Sequence, residues 1–297
     1  DEARKRRHEI DWNGYTPPEP AFTGVRVFDR IDLAVLTDYI DWMPFFNAWE
    51  FHGKYPPILS DEIVGEAASA LYKDARAMLE KIVREEWLQA RAVLGLFAAN
   101  STDHDDLVVY ADDQRKTRLE RLCHLRQQRA KPEGQPQNCL ADFVAPAESG
   151  VADVVGAFAV TAGVGIDERV AQFEKAHDDY SSILLKALAD RLAEALAEYL
   201  HEQVRIEHWA YAPDERLQNE QLIAERYRGI RPAPGYPACP DHTEKGKLWS
   251  LLDVEKNIEL RLTDSYAMYP TAAVSGFYFS HPDARYFSVG KIDRDQL

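Results

Sequence analysis

Val151-Ala-Asp-Val-Val-Gly-Ala-Phe-Ala-Val-Thr161 is the stretch from which the fold can be read. Valine, alanine and phenylalanine follow one another almost without a polar residue, the pattern of a buried, central strand. The apolar run continues to Val164, but Asp153 and glycines interrupt it, and it falls short of the ~20 residues that a membrane span requires. Directly after it comes the clearest helical pattern of the chain, Glu168 to Trp209. Phe173, Ala176, Tyr180, Ile183, Leu184, Ala187, Leu188, Leu192, Ala195, Leu196, Tyr199 and Leu200 recur along one broad face. So long a pattern predicts a bend or break within it.

Outward from this pair, the chain alternates between both kinds of element. Before it, Leu33, Leu36 and Ile40 predict a short helix over Asp32 to Tyr39, and Ser60 is placed to cap a helix that reaches about Glu86. Ala92 to Phe97 and Leu107 to Tyr110 read as a hairpin across the polar turn Asn100 to Asp106, followed by a basic helix over Thr117 to Gln128 and a loop from Lys131 to Asn138. After it come a short helix (Asn219 to Tyr227), a proline-rich loop, a helix (Glu244 to Asn257) and three strands near Glu259 to Ser265, Ala272 to Phe279 and Tyr286 to Ile292. Long helices flanking hairpins, without repeated βαβ units, predict an α+β fold. Residues 1–30, with Pro17, Pro18 and Pro20, read as an extended arm and residues 31–297 as one domain.

A hydrophobic fraction of 45% with 29% charged residues is that of a globular chain and rules out wholesale disorder. The net charge of −15 argues against a nucleic-acid partner, and no apolar run suits a membrane. Cys123, Cys139 and Cys239 are odd in number and widely spaced, which fits a reducing cytoplasm. The sequence opens at Asp1 without an initiator Met or an apolar leader, as a segment of a longer polypeptide would.

Three clusters stand out as candidates for chemistry. Arg231-Pro-Ala-Pro-Gly235-Tyr236-Pro-Ala-Cys-Pro240 has four prolines in ten residues, which exclude helix and central strand. It is either a stiff connector or a ligand loop that aims Arg231 and Tyr236 inward. Asp41-Trp-Met-Pro-Phe-Phe46 sets one carboxylate among aromatics that themselves suit a core. That carboxylate needs a cation, whether a ligand ammonium, Arg231 or a lysine. Ser275 to Phe287 reads as strand, turn and strand, rich in aromatics that line a groove or merely pack. Gly163-Val-Gly165 lacks the third glycine of a dinucleotide fingerprint, and Cys239 with His242 lacks a second pair for zinc, so no metal site is expected.

Taken together, Asp41 to Phe46, Leu140-Ala-Asp-Phe-Val-Ala-Pro146, His177-Asp-Asp-Tyr180, Lys186 to Glu194, Arg231 to Pro240 and Ser280-His-Pro-Asp283 resemble the C-terminal activation domain of cobalamin-dependent methionine synthase. The resemblance runs in order from about Trp12 to the end, and the Arg-x-x-x-Gly-Tyr run is its most specific part. It implies a single curved domain around a twisted antiparallel sheet. It also implies that the domain presents S-adenosylmethionine to the enzyme's cobalamin, held by another domain, while flavodoxin or a related flavoprotein supplies an electron. No cobalt-ligating or zinc-binding motif is present, so this chain is expected to bind the methyl donor without turnover of its own, and no catalytic residue is assigned.

Carried over by the same resemblance, Arg231 would hold the methionine carboxylate and Asp41 the amino group. Ala233, Gly235 and Tyr236 would contribute backbone contacts. Tyr286 and Phe287 match paired aromatics, although the family commonly has Tyr where Phe287 has no hydroxyl to offer. Glu194 and Glu225 would offset the sulfonium charge. The family usually continues some thirty residues beyond Leu297, a segment expected to support the last strand rather than the site. Two other readings stay open: a stand-alone corrinoid-reactivating subunit and an interaction domain without ligand. A conventional methyltransferase is disfavoured, because the glycine-rich loop after a first parallel strand is missing.

Overall fold

The computed structural model describes residues 2–129 and 131–290. The first regular strand, β1 (Gly24–Ile31), already belongs to the sheet, so the stretch expected to be an arm ends as an edge strand beside residues 90–96. Asp32 caps α1 (Leu33–Leu36) by accepting from the Ala34 amide at 2.8 Å. The aromatic cluster forms α2 (Met43–Ala48), and Trp42, Phe45 and Phe46 are core, packed edge-on with one another and with Tyr72. Ser60 does not cap the next helix. It ends a 3-10 turn, and Asp61 takes the capping role by accepting from the amides of Ile63 and Val64. As a result α3 (Gly65–Arg84) starts one turn later than the pattern suggested.

The central sheet is built from β2 (Gln89–Ser101), β3 (Asp106–Tyr110), β4 (Arg118–Cys123) and β5 (Asp153–Val164). β4 corrects the basic helix expected over Thr117 to Gln128. It pairs antiparallel with β3, Leu107 opposite Leu122, and its Arg121 forms an ion pair with the buried Asp106. Pairing with a neighbouring strand decides here against local helix preference. The stretch quoted above is the inner strand β5: Phe158 pairs with Leu94, and residues 155–162 are buried throughout.

The long helical pattern breaks where a left-handed residue interrupts it. α4 (Ile166–Lys175) stops before His177 (φ 56°), and Asp178 then caps α5 (Asp179–Gln203) through the Ser181 amide. His177 and Asp178 thus form the break between the two helices. A π turn at Val204–His208 ends α5 and buries Arg205 and His208. α6 (Asn219–Ile223) is shorter than expected, and the next helix is divided into α7 (Glu244–Leu252) and α8 (Val254–Ile258) by Asp253 at φ 47°. β6 (Arg261–Leu262) and β7 (Met268–Tyr269) form a small ribbon of their own, and β8 (Ala273–Tyr278) joins the sheet next to β5. The strand expected at Tyr286 to Ile292 is absent as far as Gly290, and its last two residues lie outside the described ones.

The sheet order is β4-β3-β2-β5-β8, with β1 beside the other half of the long β2, and every ladder is antiparallel. Two hydrophobic cores cover its faces. One joins α2, α3 and α5 to Leu94, Leu96 and Phe158; the other joins α7 and α8 to Phe97, Phe277 and Phe279. This is the α+β single domain expected from the alternation. Among the described residues no helix is long and apolar enough to cross a membrane.

Asp153 opens β5 as a buried carboxylate that accepts from the amides of Ala145 and Val154, each at 2.8 Å. Burial pushes its pKa up to about 6, against the lowering effect of those bonds and of Arg115. Folding therefore favours the protonated form. The stability this group contributes is complete below pH ~4 and is lost as pH rises through ~6. Between those limits, unfolding free energies of wild type and Asp153→Asn should diverge by on the order of 2 kcal/mol, the wild type losing ground as pH rises. A difference independent of pH would contradict this.

Candidate functional site

The proline-rich segment is fixed at its N-terminal end to β8 and the residue that follows it. Ile230 and Phe279 exchange both backbone hydrogen bonds at 3.0 Å, and the Phe277 amide donates to the Pro232 carbonyl at 2.9 Å. The chain then turns back on itself: Tyr236 donates to Ala233 O, Cys239 to Tyr236 O, and Gly235 to Cys239 O. Gly235 has φ 98°, and a side chain there would strike the ring of His242. The loop is also joined to the segment after β8, because the Val289 amide donates to Pro237 O at 2.8 Å. The four prolines lack a backbone N–H and hold φ fixed through the turn.

Between this loop, α5 and residues 286–288 lies a cleft of about 500 Å³, within the range of ~300–1,000 Å³ typical of small-molecule sites. Arg231, Ala233, Tyr236, Tyr286, Phe287, Glu194 and Glu225 all line it, so seven of the nine expected residues meet at one place. Gly235 lies behind the loop, where it sets the turn. Asp41 is not among the lining residues. Its Oδ1 accepts from the Met43 amide at 2.9 Å and shapes the entry to α2. The neighbouring Ile40 carbonyl accepts from Asn219 of α6 at 3.4 Å.

Arg231 is the organising charge. Its amide donates to the Tyr286 hydroxyl at 3.0 Å, and its Nη2 donates to Glu198 Oε2 at 2.7 Å. Its Nε is buried and bonds to nothing in the protein. Burial opposes the guanidinium charge, but the neighbouring Glu198 outweighs it, so the group is held above its ordinary pKa and stays protonated. Glu198 is 7% exposed, and burial raises its pKa against the pull of Arg231 and Arg205. Beneath them, Arg205 bonds to Glu215 at 2.7 Å and lies 4.4 Å over the Tyr227 ring, while His201 stacks on Tyr278. Burial depresses the pKa of His201 well below the imidazole range, so it is neutral. The Tyr286 and Tyr236 hydroxyls are both raised by burial and remain donors at neutral pH.

The sequence reading missed Glu198 and the polar layer around it. A signal was present: Glu194, Glu198, His201 and Arg205 recur at spacings of 4, 3 and 4, a polar stripe along one face of an apolar helix. The arrangement as a whole suits a ligand with a carboxylate for Arg231, a cationic portion near Glu194 and Glu225, and an apolar or aromatic portion against Val274 and Phe287. Among the described residues no three His, Cys, Asp or Glu side chains come together as a metal site.

The family model described as vitamin B12 dependent methionine synthase, activation domain, matches residues 32–297. Among solved structures, the crystal structure of the MetH reactivation domain bound to AdoHcy is 54% identical in sequence. It covers 99% of this chain and 90% of its own, with a TM-score of 0.96.

Proposed function

The chain belongs to the activation-domain family of vitamin B12-dependent methionine synthase, and from that membership we propose that its cleft binds S-adenosylmethionine for reactivation of that methyltransferase. The single observation that carries the assignment of the cleft is Arg231. A protonated guanidinium with its root fixed by Tyr286, its tip fixed by Glu198 and a buried Nε lacking any protein partner is prepared for an incoming carboxylate. The MetH reactivation domain solved with AdoHcy supports the choice of ligand, since S-adenosylhomocysteine differs from the methyl donor only by the sulfonium methyl.

The residues divide the ligand between them. Arg231 holds the methionine carboxylate, the Ala233 to Tyr236 turn supplies backbone groups, and Tyr286 with Phe287 offers ring faces. Glu194 and Glu225 offset the sulfonium, and Asp41, which does not line the cleft and accepts from the Met43 amide, would take the amino group once the α2 entry moves toward the ligand. When bound, S-adenosylmethionine supplies the methyl group that returns reduced cobalamin to its methylated form. Cobalamin sits on the enzyme's cobalamin-binding domain, and a reduced flavoprotein of the flavodoxin type is the electron source. The protein's part is to present the donor's methyl at the open side of the cleft, because a protein-bound corrin must approach it. This chain alone is expected to bind and not to turn over.

The test is a calorimetric titration of S-adenosylmethionine and of S-adenosylhomocysteine into the folded chain. Saturable one-to-one binding of both is expected. A cooperatively folded chain that binds neither would sink the assignment and leave an interaction domain in its place.

A further inference from the structure

We propose that Glu198 is a positioning residue that holds Arg231 ready for the carboxylate of the ligand, a role that rests on the donor-binding function above. The case begins with the cost of the residue. Glu198 sits on α5 between Ala197 and Leu200, buried in the core that covers one face of the sheet. A carboxylate taken out of water there destabilises the fold unless a cation and hydrogen bonds compensate it.

The compensation is partial. Glu198 Oε2 accepts from Arg231 at 2.7 Å, but Oε1 makes no hydrogen bond. Arg205 is only within ion-pair distance at 3.9 Å, and its own close bond goes to Glu215 at 2.7 Å. Core packing alone would be served better by an apolar side chain at position 198. What Glu198 does supply is a fixed end for a long, flexible side chain. The Tyr286 hydroxyl holds the Arg231 backbone, Glu198 holds one terminal nitrogen, and Nε remains unspent. The guanidinium thus loses its rotamer freedom before the ligand arrives rather than on binding. Glu198 also repels an incoming carboxylate, so the proposal requires that orientation outweigh repulsion. The two effects predict opposite changes when the charge is removed.

S-adenosylhomocysteine and 5′-methylthioadenosine, which lacks the amino-acid tail, are titrated into wild type, Glu198→Gln, Arg231→Gln and the double variant. The expected result is a loss of at least about tenfold for S-adenosylhomocysteine in Glu198→Gln, with methylthioadenosine unchanged. The double variant should bind no worse than Arg231→Gln alone, because Glu198 acts only through Arg231. Equal losses for both ligands, additive losses in the double variant, or binding of S-adenosylhomocysteine at or above wild-type strength in Glu198→Gln would overturn the proposal. Should Glu198→Gln fail to melt cooperatively, Glu198→Asp, which keeps the charge but draws it back from Arg231, is read against the same outcomes. Failure of wild type to bind S-adenosylhomocysteine would count against the donor-binding function itself and be recognised as such.

Discussion

Arg231→Ala lowers the affinity for S-adenosylmethionine by about a hundredfold or more, the equivalent of two charge-assisted hydrogen bonds. The size follows from how little else in the cleft can meet a carboxylate. Glu194 and Glu225, the other charged groups lining it, are both acidic. The substitution should also destabilise the fold. Glu198, 7% exposed, would be left facing only Arg205 at 3.9 Å, and losing one partner of a buried pair costs about 3–5 kcal/mol. Titration at a temperature where denaturant melts show the variant still folded separates the two effects. An affinity within about threefold of wild type would mean that the carboxylate is held elsewhere.

The second large effect concerns a residue that never touches the ligand. Gly276 lies in the middle of β8, and a side chain there would come within 2.5 Å of the Pro232 carbonyl and 3.0 Å of the Phe158 ring. That carbonyl is where the Phe277 amide anchors the proline-rich loop. Glycine is present because another stretch of backbone approaches the strand closely. Gly276→Ala must therefore shift the loop or the strand, at about 1–3 kcal/mol of overpacking. Since Arg231 and Ala233 flank Pro232, ligand affinity should fall in the same variant, by about tenfold or more. Thermal melts paired with titrations check both. A variant destabilised but binding normally would show that the loop's attachment to β8 does not set the site.

What the sequence made legible were features whose signals are local. Phe158 and its neighbours announce a buried strand by composition, the stripe from Phe173 to Leu200 announces a helix by period, and four prolines announce a rigid loop. The break at His177 was expected from length, although not its position. What stayed hidden depends on partners far along the chain. Arg118 to Cys123 is charged enough to pass for a helix, and only its pairing with residues 106–110 makes it a strand. Tyr286 to Gly290 has strand-like composition but hangs by hydrogen bonds from the proline-rich loop instead of joining the sheet.

The site shows the same division. Arg231, Ala233, Tyr236, Tyr286 and Phe287 were reached through motif resemblance, and the fold brings them to one cleft. Asp41 came from the same source and is not among the residues lining the cleft, its carboxylate engaged by the Met43 amide. Glu198 carries no motif, and in sequence only its place in the polar stripe with Glu194, His201 and Arg205 sets it apart. Its meaning appears only when the Arg231 loop, 33 residues later, folds over it. Gly276 is similar: within the sequence it is merely a weak point in a strand.

The central claim is that the cleft between α5, the proline-rich loop and residues 286–288 receives the methyl donor through Arg231. A crystal structure of this chain with S-adenosylmethionine tests it most directly. The account predicts the methionine carboxylate on the Arg231 guanidinium, the sulfonium facing Glu194 and Glu225, and the methyl toward the open side. A ligand bound away from Arg231, or seated with its methyl buried against the sheet, would contradict it.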